Sequence, residues 1–154
     1  MSSASEPTVL CGVDARGVAT VTLNRPELHN AFDDALIAAL TDTFRRLDTD
    51  PRVRVVVLAA AGRSFSAGAD LGWMKRMAGY GWEENYRDAR QLAELMRALN
   101  ELGKPTVARV QGAAYGGGVG LVACCDIALA STAASFCLSE VKLGLIPAVI
   151  SPYV

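Results

Sequence analysis

The chain has 154 residues, 51% of them apolar and 20% charged, with a formal charge of −1. That is the make-up of one globular domain with a real hydrophobic core. It excludes the basic footprint of a nucleic-acid or anionic-membrane binder, and no apolar run reaches the roughly 18 residues that cross a bilayer.

Taken in chain order, Thr8–Val13 and Val18–Leu23 are short β-branched runs on either side of Asp14-Ala-Arg-Gly17, which predicts a hairpin. Asn24-Arg-Pro26 ends the second strand. Asn30 is the expected cap of the next helix, with Asp33 in its first turn. Leu36, Ile37, Leu40, Phe44 and Leu47 recur at helical spacing, so that helix buries one face. Val53 to Ala60 is apolar throughout and reads as a strand covered on both sides. After a loop of small residues, Asp70 can cap a short helix running to Met77. Tyr86, Ala89, Leu92, Ala93, Met96 and Leu99 mark a longer one that Gly103 and Pro105 stop. Thr106 to Gln111 is a further strand, Gly112 to Gly118 a loop, Val119 to Cys125 a helix and Ile127 to Ala130 a strand. Alternation of this kind predicts an α/β fold in a single domain, residues 1–154. Met1 to Pro7 has neither a basic nor an apolar region, so no signal peptide and a cytoplasmic location are expected.

Metal and nucleophile chemistry find little support. His29 is the only histidine and belongs to no cluster at zinc-ligand spacing. No GxSxG elbow accompanies it, and Cys11, Cys124, Cys125 and Cys137 form no CxxC pair and read as reduced thiols. No metal site is expected.

Two segments carry more information: Ser64-Phe-Ser-Ala-Gly-Ala-Asp-Leu71 and Gly112-Ala-Ala-Tyr-Gly-Gly-Gly118. Each joins a buried strand to a helix, a junction that aims free backbone N–H groups outward at the positive end of the helix dipole. Two such junctions side by side could hold one oxygen between two donors, as an oxyanion hole does. Both could equally be tight turns where helices pack closely on strands. A dinucleotide fingerprint is the other reading, since Gly118-Val-Gly-Leu-Val-Ala123 fits GxGxxA and Glu140 follows twenty residues later. It is disfavoured because the preceding strand ends near Gln111, several residues before the place where a tight turn is required.

The ordered set of motifs resembles the enoyl-CoA hydratase/isomerase (crotonase) family. It comprises Leu23-Asn-Arg-Pro26 with Asn30-Ala31, Phe65 to Leu71, Lys104-Pro105, Val110 to Gly118, Cys125-Asp-Ile-Ala128, Ser139-Glu140 and Gly144-Leu-Ile-Pro147. The resemblance implies a spiral of ββα units, followed in the family by C-terminal helices that build trimers; the chain stops at Val154, so that helical region is expected to be missing. It implies an acyl-CoA substrate, no separate cofactor, and backbone donors at Ala69 and Gly117. Glu140 matches one of two carboxylates that activate water in the hydratases. Ala67 is expected beside the CoA adenine, Glu27 and Leu28 along the CoA arm, and Gly68, Asp70, Leu71, Gly116 and Gly120 around the substrate. Tyr80, Trp82 and Tyr86 are either the rim of the acyl pocket or a plain surface helix.

Gly120 departs from the family pattern, because the two-glutamate hydratases carry their second acid there and glycine cannot handle a proton. Either Glu140 does both jobs through one water, or another residue enters, or the reaction is not simple hydration. The expected activity is hydration of a 2-enoyl-CoA, with the double-bond isomerase and a non-catalytic acyl-CoA binder as alternatives. The segment from Phe136 to Pro152 is similar to the branch that hydrates methylglutaconyl-CoA and other carboxylated, branched enoyl-CoAs.

Overall fold

In β2 (Val18–Leu23), Ala19, Val21 and Leu23 are fully buried while Val18, Thr20 and Thr22 are only half-buried, the period-2 signature of a strand with one face on the core. The computed structural model, which describes residues 6–154, builds a five-stranded sheet around it. The order is β1 (Val9–Val13), β2, β3 (Val55–Ala60), β4 (Thr106–Val110) and β6 (Ile127–Ala130). β1 pairs antiparallel with β2, as the hairpin signal predicts, and every other neighbour is parallel.

α1 (Asp34–Thr49) buries the expected face: Leu36, Ile37, Leu40, Phe44 and Leu47 all join the core. Its cap differs from the expected one. Asp33, not Asn30, accepts the Leu36 N–H at 2.8 Å. Asn30 lies fully buried in a left-handed turn; its Oδ1 takes the Arg25 N–H while its Nδ2 donates to the carbonyls of Ala61 and Ser64.

α2 (Leu71–Met77) starts at Asp70, which accepts from the Gly72 and Trp73 N–H groups, as expected. α3 (Trp82–Asn100) lies against α1, but its inner face is set by Asp88, Leu92, Leu95, Met96 and Leu99; Tyr86, Ala89 and Ala93 lie on the exposed side. The apolar residues of this helix fit two helical phases. The phase that buries Leu95 places more volume in the core than the one containing two alanines.

Two strands escape the sequence reading. β5 (Ala113–Tyr115) lies inside the second glycine segment and pairs in parallel with β7 (Ser135–Cys137). Isolated bridges from Phe32 to Ala69 and from Ser66 to Ala114 extend this small ladder to the other two units. Each strand of the main sheet after β1 is thus followed by a short companion strand or bridge in a second layer. This is the expected α/β spiral of ββα units. Among the described residues no helix is long and apolar enough to cross a membrane.

Candidate active site

β3 and β4 are parallel neighbours, so the loops that follow them leave the sheet on the same side. In the first loop Phe32 N–H donates to Gly68 O at 2.7 Å, and Asp70 N–H returns to Phe32 O at 2.7 Å. Ala69, between these two contacts, turns its own N–H away from Phe32, and that N–H donates to no described residue. In the second loop Gly116, at φ +50 and ψ −122, turns the chain into α4 (Gly117–Ala123). Gly117 is the first helical residue, and its N–H is one of the orphan donors at a helix start.

The two loops touch. A Cβ on Gly68, itself at φ +87, would lie 3.0 Å from Tyr115 O and 3.7 Å from the Gly116 Cα. Only glycine accepts that backbone angle and that approach together. The two residues with undonated amides, each one residue beyond a contact point, line the same cavity.

Glu140 enters from the 3-10 turn Ser139–Leu143, and its Oε1 would be 3.1 Å from a Cβ placed on Gly116. Its Oε2 is the one buried side-chain oxygen or nitrogen without a hydrogen-bond partner among the described residues. A buried carboxyl oxygen left unmatched is costly unless a ligand or reactant completes it. Beside these groups opens a cavity of about 410 Å³ with largely apolar walls, to which Phe32, Trp73, Met77, Leu92 and Ile150 contribute. The arrangement can polarise one carbonyl oxygen, move one proton and bury an acyl chain.

A family model described as enoyl-CoA hydratase/isomerase matches residues 14–154. The chain belongs to this family. It is similar to an enoyl-CoA hydratase of Alternaria alternata, with 40% identity over 90% of this chain and 44% of that one. It is also 38% identical to the 1,2-epoxyphenylacetyl-CoA isomerase of Escherichia coli, over 86% of this chain and 51% of the relative. Among solved structures, an enoyl-CoA hydratase from Shewanella pealeana superposes with a TM-score of 0.93 at 49% identity, covering 96% of this chain and 56% of that one. The chain thus spans about half the length of the relatives it matches.

Of the residues that the family resemblance nominates, Ala67, Ala69, Leu71, Gly116, Gly117 and Glu140 line the one cavity, and Gly68 makes the contact between the loops. The other four nominated residues lie outside the lining of this cavity. Gly120 does not reach the cavity: a Cβ there would lie 2.3 Å from Ile150 Cγ2 and 3.1 Å from Met96 Cε, so the place of a second acid is filled by core. Asp70 is a structural tie that caps α2 and pairs with Arg25 at 3.5 Å, while Arg25 also holds Asp33 at 2.8 Å. Glu27 and Leu28 sit on an exposed 3-10 turn outside the cavity lining, next to His29, whose carbonyl accepts the Ala67 N–H at 2.9 Å.

The aromatic rim is also not found. Trp82 and Tyr86 are exposed and stack on each other at 5.1 Å, and neither they nor Tyr80 line the cavity; α3 contributes Asn85, Asp88, Ala89 and Leu92 instead. The dinucleotide reading fails on the same packing argument as Gly120. Gly118 lies against Ser66, whose Cβ would be 2.9 Å from an added Cβ, so both glycines of GxGxxA are contact points between elements. Sequence reasoning missed Asp88, whose signal was a single acidic residue on the inward phase of a helix.

Proposed function

We propose that the protein hydrates a 2-enoyl-CoA thioester, with the carbonyl oxygen received by the Ala69 and Gly117 N–H groups and Glu140 as the acid/base. The observation that supports this reading best is the unmatched, buried Glu140 Oε2 beside two undonated amides. In the scheme a water molecule adds its oxygen to C3 while Glu140 accepts one of its protons. The electron pair of the C2–C3 double bond moves towards the thioester oxygen, where the two amides stabilise it. The carbonyl then re-forms as C2 takes a proton delivered by Glu140, giving the 3-hydroxyacyl thioester. An oxyanion donor of this kind typically contributes about 3–4 kcal/mol to the transition state.

Glu140→Gln keeps the shape and removes the proton transfer. We expect turnover of crotonyl-CoA, followed by loss of enoyl-thioester absorbance, to fall by at least 100-fold, the lower part of the range for acid–base catalysis. Binding of butanoyl-CoA should stay within about threefold, roughly 0.7 kcal/mol. Turnover near the wild-type rate would remove Glu140 from the mechanism.

A second reading has one specific observation behind it. With the Gly120 position filled by Ile150 and Met96, one carboxylate serves the cavity at the acid/base position. One carboxylate suffices to carry a proton between C2 and C4 in a double-bond isomerase. Conversion of a 3-enoyl-CoA without water uptake, in the absence of crotonyl-CoA hydration, would select it. Assembly into trimers or dimers of trimers, in a form of the protein that carries the family's C-terminal helices, is the third element of the proposal, supported by the exposed apolar side chains Ile127, Leu129, Val141, Leu143 and Ile146. Sedimentation of that extended form at a monomer's mass across micromolar concentrations would count against it.

A further inference from the structure

Asp88 is a charged side chain on the core-facing side of α3, at only 9% exposure. It lines the same cavity as Glu140. Among the described residues its carboxyl group makes a single hydrogen bond, accepting Trp73 Nε1–H at Oδ2 over 3.3 Å, and no ion pair. Trp73 is itself 4% exposed and belongs to the helix that starts from the Ala69 loop. Asn85, one turn before Asp88, also lines the cavity. Its Nδ2 is committed to Tyr80 O at 3.2 Å, which leaves its carbonyl oxygen as a further acceptor. The described cavity lining contains no lysine, arginine or histidine.

Position decides what Asp88 can do. It lies eight residues before Met96, the α3 residue that packs against Gly120, which is about 12 Å along a helix rising 1.5 Å per residue. Asp88 is therefore no substitute for the acid missing at Gly120. It stands at another part of the acyl cavity, as an acceptor in apolar surroundings. A ligand group that donates a hydrogen bond would complete its coordination, a plain alkyl chain would leave it unmatched, and a carboxylate would meet like charge with no cation in the described cavity lining.

We propose that Asp88 is a specificity-determining residue: it selects acyl-CoA thioesters whose acyl tail ends in a hydroxyl group or another hydrogen-bond donor and rejects those whose tail ends in a carboxylate. This rests on the CoA-thioester reading of the site and departs from the carboxylated substrates to which the Phe136–Pro152 segment points.

The test uses calorimetric binding of three saturated thioesters of equal acyl length, which cannot react: pentanoyl-CoA, 5-hydroxypentanoyl-CoA and glutaryl-CoA. The full chain should bind the hydroxylated ligand at least tenfold more tightly than glutaryl-CoA, with pentanoyl-CoA between them. Asp88→Asn retains an acceptor for Trp73 Nε1 while removing the charge, and should bring glutaryl-CoA to within about threefold of pentanoyl-CoA, a gap near 0.7 kcal/mol. Asp88→Leu should invert the preference towards pentanoyl-CoA; if it fails to fold, the Asn variant carries the test alone. Equal affinities in the wild type, or a ranking unchanged by Asp88→Asn, would overturn the proposal. If the ranking holds but crotonyl-CoA is not hydrated, only the hydratase reading fails. If none of the three binds, the specificity role falls together with the CoA-thioester reading.

Discussion

Gly120→Ala sets two effects of known size against each other. Gly120 is interior to α4, where alanine is favoured over glycine by about 1 kcal/mol. The added methyl would lie 2.3 Å from Ile150 Cγ2, 2.9 Å from Ile150 Cβ and 3.1 Å from Met96 Cε. Met96 can swing its end aside, but Ile150 is β-branched and 2% exposed, so its two atoms cannot both retreat by rotation. Overpacking typically costs about 1–3 kcal/mol, and two contacts inside 3.0 Å to one stiff side chain place this site near the top of that range. The net expectation is destabilisation by about 1–2 kcal/mol, a fall of roughly 2–8 °C in melting temperature for a chain of this size. Ile150→Ala alone should cost about 2–5 kcal/mol for the cavity it opens. In the double variant the new methyl occupies part of that cavity, so the two changes should couple favourably by about 1–2 kcal/mol. Urea or thermal unfolding of the four proteins in the cycle measures this. A higher melting temperature for Gly120→Ala, or additivity within about 0.5 kcal/mol, would refute the contact and reopen the second-acid position.

Asn30→Ala removes one acceptor and two donors from a fully buried knot, leaving the Arg25 N–H and the Ala61 carbonyl short of partners, while the Ser64 carbonyl keeps Gln111 Nε2 at 3.1 Å. It should destabilise by about 2–4 kcal/mol in denaturant titration, and a loss under 1 kcal/mol would show the loop re-forming its bonds elsewhere. Asp126 ties β4 to β6 through the Thr106 N–H and hydroxyl, and these hydrogen bonds hold its carboxyl below the ordinary aspartate range. A depressed native pKa gives stability that is present above the unfolded value and lost as pH falls through the native one. The stability gap between wild type and Asp126→Asn should therefore shrink as pH falls through and below the ordinary aspartate range; a constant gap would assign the effect to geometry alone. Burial pushes the Cys124 and Cys125 thiols up to about 12, with Cys124 adding to the effect on Cys125. At pH 8 roughly one in ten thousand of each is then thiolate. Peptide mapping after thiol labelling should find both unmodified until denaturant is added, and rapid labelling of either would contradict their burial.

The parts of the fold that declare themselves in the sequence are those with a long enough period. β2 alternates over six residues and α1 carries five apolar residues at helical spacing, and both fall where expected. β5 and β7 have three residues each, too few to show any period, so the second layer of the spiral was invisible. The phase of α3 was misjudged because alanines at 89 and 93 and an aromatic at 86 imitate an apolar face. Only packing against α1 shows that Leu95 is the inward residue. Asn30 looked like a cap because asparagine is common there; its left-handed backbone and its bonds to Ala61 and Ser64 depend on contacts more than thirty residues away.

The same contrast separates the proposed oxyanion donors from the proposed determinant of selectivity. The two amides are backbone groups, so their placement is written in the glycines that permit it, Gly68 and Gly116, and in the strand–loop–helix order around them. A reader of the sequence can find such a site without knowing any side-chain contact. Selectivity works the other way. Asp88 meets Trp73 from another helix, and Gly120 is filled by Ile150 thirty residues later. Neither fact follows from local spacing, because each depends on which helix phase wins and on how the chain folds back. Substitutions within the cavity wall should therefore change acyl preference without disturbing the polarised carbonyl. Alanine at Gly116 should do the reverse: its Cβ would impose a strained φ of +50 and crowd Glu140 Oε1 at 3.1 Å, impairing turnover of every acyl chain alike. Comparing kcat/KM for short and long enoyl-CoAs in that variant separates the two roles, and a loss confined to one chain length would argue against a shared oxyanion site.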